Sequence, residues 1–406
     1  MEASQFYNLL LELTDEWQVK DVSTDYKVNE VYITIDYICK DAESPIDFER
    51  YSIYDYGPSR KWRHLDTMNY KTYIVCRLPR VKDKSGKVST IKTPWASKHE
   101  RHTYLFEESV IDLLQVSKNQ TKTASFMNCT FRVVNRIMHI SVERGLLRRD
   151  TSQVNFHHIS IDEKSFRKGH SYVSVLSHPT RGTIIDVAEG RTKKSVRKLL
   201  DNSLTEYQQQ NVRTISLDMW KAYITVSKEK LPKAELVHDR FHLVSYLNNA
   251  IDKVRKREVK TNEELKNSRY ALLKNQVNLT EKQRIKFEAI KLANYEVSKA
   301  WQVKENFKDL FNIETNKVNA IMLFIRWVQT SIHKQIKEVT KVVEMFDNHF
   351  SGVVNALVST FNNAMAERLN GKIQEIKTIG RGYRTFKNFR SAILFFNGGL
   401  SLYPLK

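Results

Sequence analysis

Two short segments, each ending in an aspartate, constrain the fold of this chain more than any other part of its sequence. They are HHISID, which ends at Asp162, and NVRTISLD, which ends at Asp218. Aliphatic residues at every second position predict strands with one buried face, and both aspartates share the parity of the small serines. If the strands are neighbours, the two carboxylates meet. Unit charges about 4 Å apart repel by roughly 4 kcal/mol at an effective dielectric constant near 20. The pair therefore needs a proton, a basic partner or a divalent cation.

The charge of the chain indicates a polyanionic partner. Its 406 residues carry a formal net charge of +20, and so basic a protein favours nucleic acid ahead of a membrane surface. The longest apolar stretch, 320–328, contains Arg326 and is much shorter than the ~20 residues of a membrane span. We therefore expect a protein that binds double-stranded DNA and does not enter a membrane.

The N-terminus and the cysteines indicate a compartment. The opening MEASQFYNLLLELTDEWQ is acidic and amphipathic, unlike a signal peptide, so we expect a cytoplasmic, nucleoid-associated protein. Cys39, Cys76 and Cys129 are scattered along the chain. This usage is typical of a reducing compartment and cannot supply a four-thiolate zinc site.

Three successive patterns occupy the N-terminal part of the chain. Residues 1–21 predict a helix with leucines and a tryptophan on one face, and residues 27–94 predict short alternating strands. The basic residues of these strands form either a DNA-binding surface or a solvated face. Between 107 and 147 we predict two helices, with a turn and N-cap at 123–125. This order is typical of a helix-turn-helix, although ordinary helical hairpins share it.

An α/β pattern follows and is then interrupted. Three hairpin-compatible strands, a helix, a strand, a helix and a further strand predict a mixed five-stranded sheet. With acids ending the first and fourth strands, this order suits a ribonuclease-H-like fold. From Asp252 to about Ser359 the pattern is almost wholly helical, so we predict a large all-helical insertion. A glycine-rich phosphate loop is absent from the sequence, which disfavours a nucleotide-binding ATPase.

A third acidic position follows the insertion. Asn363, Glu367 and Asn370 are spaced i, i+4, i+7 and share one helical face, either as a satisfied polar patch or as ligands. Basic residues with interleaved aromatics come next, a composition that predicts a surface for the phosphate backbone. The basic residues are Lys372, Lys377, Arg381, Arg384, Lys387 and Arg390.

Several motifs of the chain resemble those of DDE transposases of the ISL-three insertion-sequence family. The most specific are SIDEKSFRKGHSYVSVL, AEGRTKKSV, ISLDMWKAY, DRFHLV and NAMAERLNGKIQEIKTIGRGYRTFKNFR. By position within them, the resemblance assigns the family's catalytic and metal-binding acids to Asp162, Asp218 and Glu367. It implies two Mg²⁺ or Mn²⁺ ions per active site, consistent with an all-oxygen ligand set. It also implies binding of terminal inverted repeats, strand cleavage and strand transfer by at least a dimer on DNA.

The same motifs contain candidate DNA contacts, any one of which could instead be merely solvated. They are Lys164, Arg167, Lys168, Arg191, Lys193, Lys194, Lys221, Arg240, His242, Asn363, Asn370, Lys377, Arg381 and Arg384. Asp239 and His242 resemble the Asp-x-x-His motif of Mutator-like transposases, and we expect Asp239 to support the site. The alternative is a helix N-cap with a hydrogen-bonded histidine. Glu163 points to the other face of its strand by period and is interpreted as structural, and packing is the expected role of Trp220.

One departure from the family concerns zinc. Family members carry a four-cysteine zinc motif in the N-terminal β-rich unit, whereas this chain offers only Cys39 and Cys76 before the helical region. We therefore predict no structural zinc, and we expect this unit to be held by packing of Trp62, Tyr70 and Tyr73.

These patterns predict five segments. The expected boundaries are 1–100 for a degenerate zinc-ribbon-like DNA-binding unit, 101–150 for the helix-turn-helix, 151–251 and 360–406 for the ribonuclease-H-like core, and 252–359 for the insertion. Two other functions are compatible with the sequence: a catalytically inactive, transposase-derived DNA-binding protein, and a ribonuclease-H-like nuclease that acts on RNA-containing substrates.

Overall fold

The structure is a computed structural model that describes residues 2–151, 155–167, 171–274, 276–359 and 364–405. The side chain of Glu367 lies outside what it describes, as do all atoms of Lys168 and Asn363. The chain forms two compact units. One comprises Met1–Arg149 with Leu400–Lys406, and the other comprises Asp150–Gly399.

A six-stranded sheet forms the first part of the N-terminal unit. Its strands follow the order β1-β2-β5-β4-β3, with β6 paired to β5, and β2 and β5 run parallel. The elements are α1 (Ala3–Leu10), β1 (Trp17–Asp25), β2 (Glu30–Tyr37), β3 (Asp41–Glu43), β4 (Arg50–Arg63), β5 (Lys71–Lys82) and β6 (Val88–Thr90).

The predicted helix over residues 1–21 is wrong beyond Leu10. The helix ends there, Glu12 adopts a left-handed φ of 47°, and Trp17 and Val19 enter the sheet as alternate buried residues of β1. A short apolar run fits the period of a helix as well as that of a strand, so the structure it adopts depends on which side chains the tertiary fold buries. Here the sheet buries Trp17, whereas Leu9 of α1 stays 68% exposed.

Aromatic packing holds this sheet together. Trp95 contacts Trp17 and Trp62 edge-on, with ring centroids 4.9 and 5.7 Å away, a preferred geometry for aromatic pairs. The expected packing role of Trp62 is confirmed, since only 3% of it is exposed. Cys76 is buried, and burial raises the pKa of its thiol to about 12, so the thiolate that a metal requires is disfavoured.

Three helices complete the N-terminal unit. They are α2 (Tyr104–Ser117), α3 (Gln120–Phe126) and α4 (Phe131–Thr151). The turn predicted at 123–125 is misplaced, because these residues lie inside α3 and the hydroxyl of Thr123 pairs with Ser117 at 2.8 Å. The connection that precedes α4 is instead 127–130. The segment 400–405 returns to this unit, where Arg144 of α4 donates to the carbonyl of Leu402 at 2.8 Å.

The second unit contains the predicted mixed five-stranded sheet. The strands lie in the order β11-β10-β7-β8-β9. β7, β8 and β9 are antiparallel neighbours, and β10 pairs in parallel with both β7 and β11. The elements are β7 (His158–Arg167), β8 (Ser171–His178), β9 (Thr183–Glu189), α5 (Lys193–Ser203), α6 (Glu206–Asn211), β10 (Thr214–Leu217), α7 (Lys221–Lys230) and β11 (Glu235–His238).

Helices dominate the remainder of the second unit, as the sequence predicts for 252–359. Their shared core contains Phe307, Phe324 and Trp327. The helices are α8 (Arg240–Glu258), α9 (Arg269–Leu273), α10 (Glu281–Leu292), α11 (Glu296–Leu310), α12 (Lys317–Ile332), α13 (Lys337–Asn348), α14 (Phe350–Val358), α15 (Ala364–Ile379) and α16 (Phe386–Asn397), with 3-10 turns at Glu263–Leu265 and Gln276–Asn278. Within the described residues, no helix combines the length and apolar character of a membrane span.

The last helix of this unit is anchored to the edge of its sheet. Arg390 of α16 forms two hydrogen bonds, 2.6 and 2.9 Å long, with the buried carboxylate of Asp186 in β9. Bidentate pairs of this kind are geometrically specific, so this contact sets the position of α16 against the sheet.

Candidate active site

Two carboxylates lie beside each other where strand β10 ends next to the middle of strand β7. Ile161 of β7 is in register with Leu217 of β10, so Asp162 and Asp218 follow at the same level of the sheet. Parallel strands lie about 4.8 Å apart, which brings the two side chains within strong electrostatic reach. Only 18% and 23% of their respective side chains are exposed, so solvent screens their mutual repulsion poorly.

A basic partner, His242, lies between the two carboxylates. Its Nε2 is 3.6 Å from Asp162 Oδ1 and its Nδ1 is 3.8 Å from Asp218 Oδ2. His242 belongs to the first turn of α8, which Asp239 caps by accepting a hydrogen bond from the Phe241 amide at 2.7 Å. Asp239 is also 3.8 Å from His242 Nε2. Asp239 therefore caps α8 and also lies beside the two carboxylates, so the two interpretations of the Asp-x-x-His motif are compatible.

Neighbouring charges lower the pKa of Asp162 and raise that of His242, and both shifts favour the charged forms. Burial alone would raise the pKa of Asp162, but the hydrogen bond with His242, the charge of Lys164 and the amide of Asn370 outweigh it and lower the pKa to about 2. Burial would lower the pKa of His242, but Asp162, Asp218 and Asp239 raise it to about 9. An imidazolium among carboxylates is the expected result of opposite charges at this range.

Helix α15 lies against the same site. Asn370 of α15 donates a 2.6 Å hydrogen bond from Nδ2 to Asp162 Oδ2. Position 367 lies three residues earlier on this helix, and residues three apart are neighbours on a helix surface. The backbone that carries Glu367 is thereby held beside Asp162.

The paired carboxylates fit a divalent metal. Asp162 and Asp218 present hard oxygen ligands, which Mg²⁺ and Mn²⁺ prefer to thiolates or imidazoles. Among the side chains that the structure describes, no cluster of three or more histidines, cysteines or acids is arranged to hold a metal. The third acid of the predicted set, Glu367, lies outside those side chains.

Comparison with known proteins identifies the family. A family model described as a transposase, of the DDE type and the ISL-three family, matches residues 159–393, more than half of the chain. The chain belongs to the ISL-three family of DDE transposases. This result confirms the resemblance noted in the sequence motifs.

Relatives match along most of the chain. The transposase for insertion sequence element IS1557 of Mycobacterium tuberculosis is 25% identical over 363 residues, which cover 82% of this chain and 81% of the relative. The transposase for IS1001 of Bordetella parapertussis is 23% identical over 341 residues, which cover 81% and 82%. Among solved structures, the Drosophila P element transposase strand transfer complex matches with a TM-score of 0.37 and 8% identity, covering 79% of this chain and 95% of that one.

Sequence analysis of this transposase missed one contact of the site. The hydroxyl of Tyr246 donates to Asp218 Oδ1 at 3.3 Å, and burial together with the charge of Asp218 raises the pKa of Tyr246 to about 12. Tyr246 follows His242 by four residues in α8, so both share one helical face. That spacing was the available signal.

A second row of side chains flanks the carboxylates in this ISL-three transposase. Arg191 pairs with Glu163 at 2.8 Å, and its guanidinium lies over the rings of Tyr172 and Trp220, 4.4 and 4.6 Å from their centroids. The indole of Trp220 donates to the carbonyl of Arg191 at 3.1 Å. Glu163 and Trp220 thus position Arg191. This agrees with the structural role expected for Glu163, whereas the packing expected for Trp220 is only partial, since 42% of it is exposed.

The other predicted DNA contacts of this transposase fall into distinct places. Lys164 lies 3.5 Å from Asp162, and Arg240 packs over the ring of Phe311 at 4.5 Å. Lys193, Lys194 and Lys221 are exposed near the starts of α5 and α7. Lys168 and Asn363 lie outside the described residues. The four remaining cations line one cleft: Arg167, Lys377, Arg381 and Arg384.

Proposed function

We propose that this chain is a DNA transposase that binds the terminal inverted repeats of an insertion sequence and catalyses metal-dependent strand cleavage and strand transfer. The observation that carries the proposal is the pairing of Asp162 and Asp218 on parallel strands, with α15 held beside them through Asn370. Family membership supports the same activity. The sheet order β9-β8-β7-β10-β11 supports a ribonuclease-H-like core for the second unit.

Asp162, Asp218 and Glu367 would hold two Mg²⁺ or Mn²⁺ ions, which when bound supply activation of the attacking oxygen and stabilisation of the leaving oxygen. The surrounding residues orient these ligands. Asn370 and Tyr246 each donate a hydrogen bond to one carboxylate, which restricts its rotation. His242 supplies positive charge between the carboxylates, so the negative charge of the site is partly offset before a scissile phosphate arrives.

The N-terminal unit would bind the terminal repeats in this proposal. Its helices α3 and α4 follow each other through a short connection, and Lys122 and Arg132 are exposed on them, as backbone contacts require. Joining two element ends requires at least two copies of the chain on DNA. No structural zinc is proposed for this unit, in line with the two cysteines of its β-rich part.

Asp218→Ala tests the activity. In Mg²⁺, wild type should nick duplex DNA carrying the terminal repeat and join the cut end to a target, and the variant should lose at least about 100-fold in rate. Glu229→Ala, which removes an exposed carboxylate paired with Arg197, should cleave normally. Melting temperatures close to wild type for both variants exclude unfolding.

Three other results would change the assignment. Normal cleavage by Asp218→Ala removes this residue from the chemistry. If wild type binds the terminal repeat without cutting it, the chain is a catalytically inactive, transposase-derived DNA-binding protein. Cleavage confined to RNA-containing duplexes indicates a ribonuclease-H-like nuclease.

A further inference from the structure

A basic cleft of about 990 Å³ opens beside the far end of the strand that carries Asp162. It lies between the end of β7 and the loop that follows α15. Its cations are Arg167, Lys377, Arg381 and Arg384, and none of the described residues around it is acidic. A cleft lined by charge of one sign focuses the electrostatic field and concentrates counter-ions. Its natural occupant is therefore an anion.

The contacts within the cleft leave its charge in place. Lys377 Nζ donates to the carbonyl of Ser165 at 2.6 Å, and the guanidinium of Arg167 donates to the carbonyl of Arg384. Both acceptors are neutral, and within the described part of the chain no carboxylate pairs with a cleft cation. A lysine has three donors and an arginine five, so donors remain for a ligand while the protein contacts fix the side chains.

The loop keeps one cation at a backbone position that favours glycine. The end of α15 forms a Schellman motif, in which Gly382 donates to the carbonyl of Lys377 at 2.9 Å and Arg381 donates to that of Thr378 at 3.1 Å. Arg381 occupies the left-handed position of the motif with φ of 50°, where glycine is the usual residue. Gly380 and Gly382 flank Arg381, so Arg381 is the residue of this turn at which a side chain makes the left-handed backbone conformation unfavourable. Glycine adopts this conformation without the steric cost that arginine pays, so replacing Arg381 by glycine should not destabilise the loop.

The distance between the cleft and Asp162 can be estimated along helix α15 and along strand β7. Asn370 contacts Asp162, and seven residues later on α15 Lys377 contacts Ser165, three residues along β7. A helix rise of 1.5 Å and a strand rise of 3.3 Å per residue both give about 10 Å for this span. Continuing to Arg167 extends it to about 17 Å. The axial rise of duplex DNA is 3.4 Å per nucleotide, and consecutive phosphates of one strand lie farther apart than this, so the span corresponds to at most about three to five nucleotides.

We propose that this cleft is a subsite for backbone phosphates of the DNA strand that leaves the active site, within about five nucleotides of the scissile phosphate. The inference rests on the proposed function and adds a location to it. The ligand is the phosphodiester backbone of DNA of any base sequence, because the cationic side chains of the cleft donate to phosphate oxygens. The subsite would hold the strand in line while Asp162 and Asp218 face the cleavage point.

Substitution of Arg381 separates this role from folding. Arg381→Gly relieves the left-handed strain, so its melting temperature should equal or exceed that of wild type, by up to about 3 °C. On a random-sequence duplex, the slope of log binding constant against log salt should nevertheless fall by roughly 0.9, the loss of one phosphate contact. Arg381→Lys keeps the charge and should keep the wild-type slope. Arg284→Ala, which removes an exposed cation of α10, is the matched control.

Phosphate neutralisation locates the contact. Single methylphosphonates placed along terminal-repeat DNA should slow wild-type cleavage most at a position within about five nucleotides of the cut, and Arg381→Gly should lose this position-specific effect. An unchanged salt slope for Arg381→Gly, an equal loss for Arg284→Ala, or a maximum elsewhere on the strand would overturn the subsite while wild-type cleavage stands. Absence of wild-type cleavage would instead overturn the proposed function.

Discussion

One imidazole lies between the two carboxylates of the candidate active site and supplies positive charge to both. His242 is 3.6 to 3.8 Å from the oxygens of Asp162, Asp218 and Asp239. Of the three ways to relieve such repulsion, the structure uses a basic partner. The carboxylate of Asp162 remains ionised, since its pKa falls to about 2. Ionised carboxylates are also what a divalent cation requires.

Removing the imidazole should make stability depend on metal. In EDTA, His242→Ala leaves only Lys164, which is 3.5 Å from Asp162, to offset the repulsion between Asp162 and Asp218, and it should lower the free energy of unfolding by about 1–3 kcal/mol. Millimolar Mg²⁺ should restore most of this loss, because the ion replaces the missing positive charge. Thermal melts with and without Mg²⁺ measure the effect, with the exposed His333→Ala as control. A variant that melts like wild type in EDTA would contradict the neutralising role.

At the scale of elements, the long helix α4 packs closely against the C-terminal segment 400–405. A Cβ on Gly145 would lie 2.7 Å from Leu400 Cβ, closer than non-bonded carbons allow. Arg144 and Arg148 of the same helix donate to the carbonyls of Leu402 and Ser401 at 2.8 and 3.0 Å. A glycine inside a helix costs about 1 kcal/mol relative to alanine, and the docking of this segment accounts for its presence.

Two glycine substitutions distinguish packing from helix propensity. Gly145→Ala should lower the free energy of unfolding by about 1–2 kcal/mol, because displacement of Leu400 outweighs the gain in propensity. Gly371→Ala in α15, where an added Cβ meets nothing within 4 Å, should instead raise it by about 0.5–1 kcal/mol. Urea unfolding measures both. Equal stabilisation by the two substitutions would show that the segment 400–405 does not press on α4.

At the scale of the whole molecule, each unit contains a histidine that is neutral at physiological pH: His64, which is half-buried, and His238, which is buried. In the N-terminal unit, burial and the charge of Arg63 lower the pKa of His64 to about 4. In the second unit, burial lowers the pKa of His238 to about 4, although the carbonyl of Leu217 opposes the shift. The unfolded chain binds these protons near pH 6.5, so it takes up more protons than the folded protein between about pH 6.5 and 4.

Both units should therefore lose stability in acid. As pH falls from about 7.5 to 5, each histidine removes up to about 2 kcal/mol of the free energy of unfolding, and the loss continues to about pH 4. Calorimetry should show transitions of both units moving to lower temperature. His238→Gln, which cannot titrate in this range, should reduce the shift of one transition only. If neither transition of this variant responds differently from wild type, the buried state of His238 is not the cause.

Local patterns in the sequence were sufficient for the main architecture. The alternation in HHISID and NVRTISLD predicted β7 and β10 and the shared face of Asp162 and Asp218, because side-chain direction in a strand has a fixed period of two. It predicted that the two carboxylates meet only on the condition that the strands are neighbours, which the structure shows. The helical span 252–359 followed equally from its period. The pattern failed for the end of α1 and for the turn near Thr123, where a short apolar run or a hydroxyl suits more than one local structure.

Only the tertiary structure decided which groups act together. His242 reaches Asp162 across 80 positions and Asn370 reaches it across 208, and no local period records such partners. The same holds for the basic cleft, because its members come from β7 and from the loop after α15. The sequence alone determined which carboxylates and cations this protein carries and on which elements. Their mutual neutralisation and geometry depend on distances in space, which exist only once the sheet and helices have packed.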